Sequence, residues 1–328
     1  MTAVGERAKI GVITNPRSQR NKRGLDEVTR LLDGAASHVR HAVIEQVGDI
    51  PAILSDFAAA EVTVVAVAAG DGTVQAVLTE IYGRRPFAQA PLLAVVPRGM
   101  TNMIAADVGV ARKGKPLAAL ARLLAAPRAT LEAATETRHI LRAENILNRE
   151  PQYGMFFGGA GIVRAIDACL TKVHPYKVEH DAALAATLVG LLGSWLFRRG
   201  AKDDGLFYGD RITMTLDDQP AETVEALVVL ATTLDRLILR SRPYWGEGRG
   251  PLRFTAIAYP PKGLLRHAWR ILYGAPHRQL PAGYTSRASH RVALTMDCPF
   301  TLDGEMFEPI PGREIILTAA DEARFVRL

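Results

Sequence analysis

Cysteine is nearly missing from this chain. Cys169 and Cys298 are the only two in 328 residues, so at most one disulfide can form, and no Cys-x-x-Cys or Cys/His cluster exists to hold zinc. Free thiols in a reducing compartment are expected. Aromatic residues are also scarce, at 6% against 48% apolar overall. The core should therefore be mainly aliphatic, and that apolar content argues against disorder. No uninterrupted apolar run reaches the ~20 residues that cross a bilayer; the nearest, 182–197, is too short. Residues 1–9 are polar and charged around no apolar centre, so no secretory leader is expected. Internal repeats and low-complexity linkers are lacking too. These absences leave a cytoplasmic protein, one that can sit on the inner face of a membrane without crossing it.

What is present is a basic balance, with formal charge +6 and pI near 9.4. This suits an anionic partner such as a nucleotide, a nucleic acid or a membrane surface. Nucleic acid is the weakest of these, because no basic stripe with interleaved aromatics occurs. The length suits two domains.

The first third alternates short β-branched runs with helical spacing. Residues 10–14, 62–68 and 92–96 read as strands, and 25–32, 50–60 and 74–82 as helices. Strand, helix, strand in short succession predicts an open parallel α/β sheet with right-handed crossovers. After about residue 129 the texture changes. Residues 211–216, 226–232, 253–258, 291–296 and 314–317 read as strands divided by Gly, Pro and Asp, predicting an antiparallel β-sandwich. Helical insertions are expected at 181–197 and 263–273. The expected domains are 1–129, with 318–328 a candidate to complete it, and 130–317.

Three strand ends of the first domain run into loops rich in glycine and hydroxyl or amide residues: Thr14-Asn15-Pro16-Arg17-Ser18, Ala69-Gly70-Asp71-Gly72-Thr73, and Pro97-Arg98-Gly99-Met100-Thr101-Asn102. Each precedes a helix, so backbone N–H groups and a helix N-terminus can face an anion, the physics of phosphate binding. Gly70 and Gly72 admit close backbone approach, and Thr73 is expected to cap the following helix. Asp71 is the odd member, since a carboxylate beside phosphates needs a metal ion or a transferable proton. Any one such loop alone is more often an ordinary turn. Three in succession point to a site. Near the C-terminus lies Asp303-Gly304-Glu305, which alone reads as a hairpin turn.

Asn15-Pro16-x-Ser18, Gly70-Asp71-Gly72-Thr73, Pro97-x-Gly99-x-Thr101-Asn102 and Asp303-Gly304-Glu305, in that order, resemble the diacylglycerol kinase catalytic-domain family, which includes bacterial diacylglycerol kinases, sphingosine kinases and ceramide kinases. Phe157-Gly158-Gly159-Ala160-Gly161 and Gly274-x-x-His277 extend the resemblance along the chain. The Gly-Asp-Gly-Thr element alone is shared with NAD kinases and resembles phosphofructokinases. The resemblance implies ATP and Mg²⁺ as cofactors and a lipid hydroxyl as acceptor. It implies that Asn15, Pro16, Arg17, Ser18, Gly70, Gly72, Thr73, Gly99, Thr101 and Asn102 line the nucleotide. Asp303 would be the general base, with Glu305 supporting it or binding metal, and Asp71 would bind Mg²⁺ or share the base role. The chain departs from the pattern at Ala69, where a glycine is usual, and at Met100 and Met103. Many bacterial members hold an accessory Mg²⁺ beside an Asp-Gly-x-Leu-Asp run. The matching run here is Arg249-Gly250-Pro251-Leu252-Arg253, so that site is not expected.

Two segments suit a lipid surface. Residues 180–200 form an apolar stretch ending in Trp195, Leu196 and Phe197 before paired arginines, and 264–273 form a basic amphipathic stretch around Trp269. A helix packed on the sheet would look similar. The reading is thus an ATP-dependent lipid kinase acting on a two-chain neutral lipid, diacylglycerol or ceramide. A sphingoid-base kinase and a soluble NAD kinase-like enzyme are the alternatives, along with a non-enzymatic descendant, against which the retained Asp71, Asp303 and Glu305 argue.

Overall fold

The computed structural model describes residues 7–18, 27–32, 37–110, 116–173 and 208–328. The expected helix at 181–197 and part of the expected helix at 25–32 lie outside the described residues. The chain forms two contact units: residues up to Ile140 with Gln152–Gly154 and Asp321–Leu328, and Leu141–Pro151 with Met155–Ala320.

The first unit is built on a six-stranded sheet in the order Val39–Val43, Ile10–Thr14, Val64–Ala69, Leu92–Pro97, Glu322–Val326, Thr135–His139. All neighbouring pairs are parallel except the last. The sequence explains the middle of the sheet. Ile10–Thr14 and Val64–Ala69 are buried at every position, as strands covered on both faces require, and so they read as unbroken apolar runs. One core cluster joins Ile10, Val12, Val64, Ala66, Leu92 and Val96 to Leu120, Leu123 and Leu124 of the helix Pro116–Ala125. The unit runs to Ile140, and its strand Thr135–His139 pairs along its whole length with Glu322–Val326.

In the second unit the strands are antiparallel. The eleven-residue strand Glu222–Thr232 organises them: Glu222–Ala226 pairs with Asp210–Leu216, whereas Val228–Thr232 pairs with both Phe156–Ala160 and Leu252–Ala258. A register irregularity between Ala226 and Val228 marks the change, as bulges do where a strand bends from one limb to another. Where a sandwich of separate sheets was expected, the strands form one continuous curled sheet. Its limbs share a core: Ile212, Met214, Leu294 and Leu317 meet Phe157, Phe254, Phe300 and Leu302 in a single cluster. No helix among the described residues is long and apolar enough to cross a membrane.

Candidate functional site

The three loops leave the carboxyl ends of Ile10–Thr14, Val64–Ala69 and Leu92–Pro97. Parallel pairing sets those ends side by side, where ligands bind on open α/β sheets. Their side chains bind the loops to one another. Asn15 Oδ1 accepts the Arg17 N–H at 2.9 Å, and Asn15 Nδ2 donates to Thr73 Oγ1 at 3.0 Å, tying the first loop to the second. Asp71 ties the second to the third: its oxygens accept the Met103 and Ile104 N–H groups at 2.9 and 3.0 Å. Those are the first residues of the helix Met103–Val108, whose leading N–H groups have no partner within the helix. Asn102, at φ 48°, closes the third loop, accepting from Gly99 N–H at 2.7 Å and donating to the Gly99 carbonyl at 2.8 Å. The second and third loops also meet backbone to backbone. A Cβ on Gly99 would stand 2.5 Å from the Gly70 Cα.

Of the residues expected at the nucleotide, Asn15, Pro16, Arg17, Ser18, Gly70, Gly72 and Thr101 keep solvent-facing surface, while Thr73, Gly99 and Asn102 are buried. The buried three hold the loops in shape. The expected cap at Thr73 is corrected: the helix is Asp71–Thr79 with Gly70 as its N-cap. The Gly70 carbonyl already takes the Thr73 and Val74 N–H groups, and the Thr73 hydroxyl accepts from Asn15 instead. Asp71 thus stands in the first turn, where negative charge is favourable.

Burial dominates the Asp71 carboxyl. It lifts the pKa from an ordinary 3.8 to about 6, and the bonds from Met103 and Ile104 only partly offset it. Because the folded chain then holds a proton that the unfolded chain releases, ionisation weakens the fold as pH rises from about 4 to 6, and the loss is constant above that. A rise of this size corresponds to about 3 kcal/mol. In metal-free buffer, urea unfolding should show the wild type losing stability relative to Asp71→Asn across this window. Parallel pH profiles for the two proteins would mean that Asp71 ionises as an ordinary carboxyl.

In the second unit, Asp303 and Gly304 have φ of 50° and 93° and join the strands Phe300–Leu302 and Glu305–Phe307, a type I′ hairpin. The Asp303 side chain reaches further. It is 3% exposed, and its oxygens accept the Met155 and Phe156 N–H groups at 2.8 and 2.9 Å, while its own N–H returns to the Phe156 carbonyl. The carboxylate is thus fixed against the start of the strand Phe156–Ala160. Glu305 is exposed.

Ala69, at the departure from the glycine pattern, is an ordinary buried strand residue paired with Pro97, so its methyl group fits. Met103 is buried and Met100 is exposed. Arg98, a variable position of its motif, is only 7% exposed, a cation buried between Pro97 and Gly99. Its charge inside an otherwise apolar and glycine-rich run was the available signal. At the run matched to the accessory metal site, the Arg253 guanidinium donates to the Thr233 and Leu234 carbonyls and to Asp235 Oδ1 at 2.6 Å. His277 is exposed, 3.8 Å from Glu247. A cavity of about 80 Å³ lined by Val64, Leu92 and Arg128 lies at the opposite ends of the strands and is too small for a nucleotide.

The loops suit a phosphate-bearing ligand, for the Gly70–Gly99 contact brings two backbones together without side chains between them. Among the described residues no three His, Cys, Asp or Glu side chains gather.

Residues 9–136 match the family model described as the diacylglycerol kinase catalytic domain. No curated protein matches the chain in sequence. Among solved structures it is similar to a "putative diacylglycerol kinase" from Bacillus anthracis str. Sterne, at 15% identity and TM-score 0.65, over 99% of this chain and 98% of that one. A second structure so described, from the same organism, gives 15% and 0.64 over 100% and 99%. A diacylglycerol kinase, again from that organism, gives 14% and 0.58 over 99% and 98%. At such identities these likenesses show the fold. The family match supplies the activity class: the similarity of residues 9–136 to the diacylglycerol kinase catalytic domain supports a lipid kinase.

Proposed function

We propose that this lipid kinase moves the γ-phosphoryl group of ATP to the primary hydroxyl of a two-chain neutral lipid, diacylglycerol or ceramide, at the inner face of a membrane to which it binds peripherally. The observation that carries the reading is the mutual tying of the three loops, Asn15 to Thr73, Asp71 to Met103 and Ile104, and Gly70 against Gly99. Such a preformed cradle suits phosphoryl transfer, which asks a protein mainly to position reactants and neutralise charge.

In this reading the solvent-facing groups of the loops, from Asn15 to Ser18 with Gly70, Gly72 and Thr101, hold the phosphates. Asp71 would hold Mg²⁺, with Glu305 a further candidate ligand, and a cation beside Asp71 would offset the cost of ionising that carboxyl. Bound Mg²⁺ and ATP supply the transferable phosphoryl group and the charge that stabilises its transfer. Asp303 takes the proton of the lipid hydroxyl as the new O–P bond forms and the bond to the departing ADP breaks.

The test is direct. Pure protein with labelled ATP, Mg²⁺ and a panel of detergent-dispersed lipids should label diacylglycerol or ceramide. Label only on a sphingoid base would move the acceptor to a single-chain lipid. Label on NAD with none on any lipid would overturn the proposal.

A further inference from the structure

The helix Leu264–Tyr273 carries apolar residues on two sides. Toward the protein, Ile271 is 5% exposed, and Leu264 and Leu280 pack with it against Trp245, Ile257 and Tyr284. Outward, Trp269 is 73% exposed, Leu265 47% and Tyr273 36%. Spaced by four, these three form a single stripe, and the Trp269 and Tyr273 rings stand 4.6 Å apart. Beside it runs a second exposed stripe at the same spacing: Lys262 just before the helix, then Arg266 and Arg270. No Asp or Glu occurs from residue 260 to residue 291.

An indole this exposed leaves apolar area in water that docking against a partner would bury. Its neighbours say what would cover it. Aromatic rings set beside long basic side chains match the boundary of an anionic bilayer, where rings lie at headgroup depth and arginine stems reach outward to phosphates. The surface is a single helix roughly 15 Å long, suited to lying in an interface plane, and the run without acids favours an anionic partner.

We propose that the helix Leu264–Tyr273 is the face by which this protein docks on anionic membranes, with Leu265, Trp269 and Tyr273 inserted and Lys262, Arg266 and Arg270 on the headgroups. This rests on the lipid-kinase reading only in that the acceptor resides in a bilayer. Co-sedimentation with neutral phosphatidylcholine vesicles and with vesicles also containing phosphatidylglycerol tests it. The wild type should bind the anionic vesicles at least about tenfold more tightly, falling steeply with salt. Arg266→Glu with Arg270→Glu should lose about a hundredfold on anionic vesicles. Leu265→Ala with Trp269→Ala should lose about tenfold.

All four positions are exposed, so thermal unfolding should be unchanged; if one double variant fails to fold, the other and the salt series carry the test. Wild-type affinity in folded variants, or equal wild-type binding to both vesicles, overturns the proposal. So does a dimer that the Leu265→Ala, Trp269→Ala pair dissociates without changing vesicle binding, for the stripe would then face a second copy. Phosphorylation of a water-soluble short-chain acceptor separates this from the kinase reading. Both variants should match the wild type there, and a wild type inactive on every acceptor would sink the acceptor assignment while leaving the vesicle result to stand.

Discussion

Asp303→Asn is expected to lower lipid turnover by ~10²–10⁴-fold, the usual loss on removing one positioned general base, with the KM for ATP unchanged. The substitution is conservative in shape, and asparagine tolerates the left-handed backbone at φ 50°. It is not conservative in hydrogen bonding. Both carboxylate oxygens accept backbone N–H groups, from Met155 and Phe156, and an amide can accept only one of them, turning its NH₂ toward the other. Leaving a buried donor unmatched costs about 1–3 kcal/mol, so stability must be measured beside activity.

The two effects have different signatures. A residue that only fixes the start of the Phe156–Ala160 strand would lower the melting temperature and leave the shape of the pH–rate profile alone. A base would also flatten the acid limb of that profile. Wild-type turnover in the folded variant would move the base to Asp71. Asp71→Asn is expected instead to raise the Mg²⁺ requirement, with partial rescue at high Mg²⁺. Full activity in both variants would end the carboxylate mechanism.

How far the sequence anticipates this arrangement depends on burial. Ile10–Thr14, Val64–Ala69 and Leu92–Pro97 were legible because strands covered on both faces leave unbroken apolar runs. The flanking strands Val39–Val43 and Thr135–His139 were not: they are the two edges of the sheet, mostly exposed or half-buried, and VRHAV and TETRH offer no apolar alternation. Phe156–Ala160 escaped as a strand because glycine is a poor strand former. It is wholly buried all the same, since a missing side chain at Gly158 admits Thr301 and one at Gly159 admits Met296.

The loops of the site were legible from glycine placement and motif order, and Asp303-Gly304 as a turn from its dipeptide. The bonds between those residues and their distant partners were not. Asn15 meets Thr73 58 positions away, and Asp303 meets Met155 148 positions away. Such pairings are set by which strand ends lie side by side, and no local pattern encodes that.

Gly99→Ala tests the loop assembly most severely, and it should weaken ATP binding about 5- to 150-fold in a protein that remains folded. The added methyl carbon would lie 2.5 Å from the Gly70 Cα and 3.3 Å from Asn102 Oδ1. The first neighbour is backbone, so it cannot swing aside as the end of a long side chain could; one loop must move off the other. Gly99 N–H and carbonyl are also the two groups that Asn102 binds, and the Met103 and Ile104 bonds to Asp71 begin immediately after. A shift at Gly99 therefore disturbs the third loop and, through Asp71, the second. Overpacking of this kind costs about 1–3 kcal/mol. If that cost falls on the nucleotide-competent arrangement, affinity drops about 5- to 150-fold. Gly48→Ala is the matched control, since a Cβ there meets nothing within 4 Å, and it should bind ATP as the wild type does. Calorimetry or a fluorescent nucleotide reads the affinity, and circular dichroism reads the fold. A folded Gly99→Ala protein with wild-type ATP affinity would remove the Gly70–Gly99 contact from the nucleotide site, and with it the observation on which the proposed function rests.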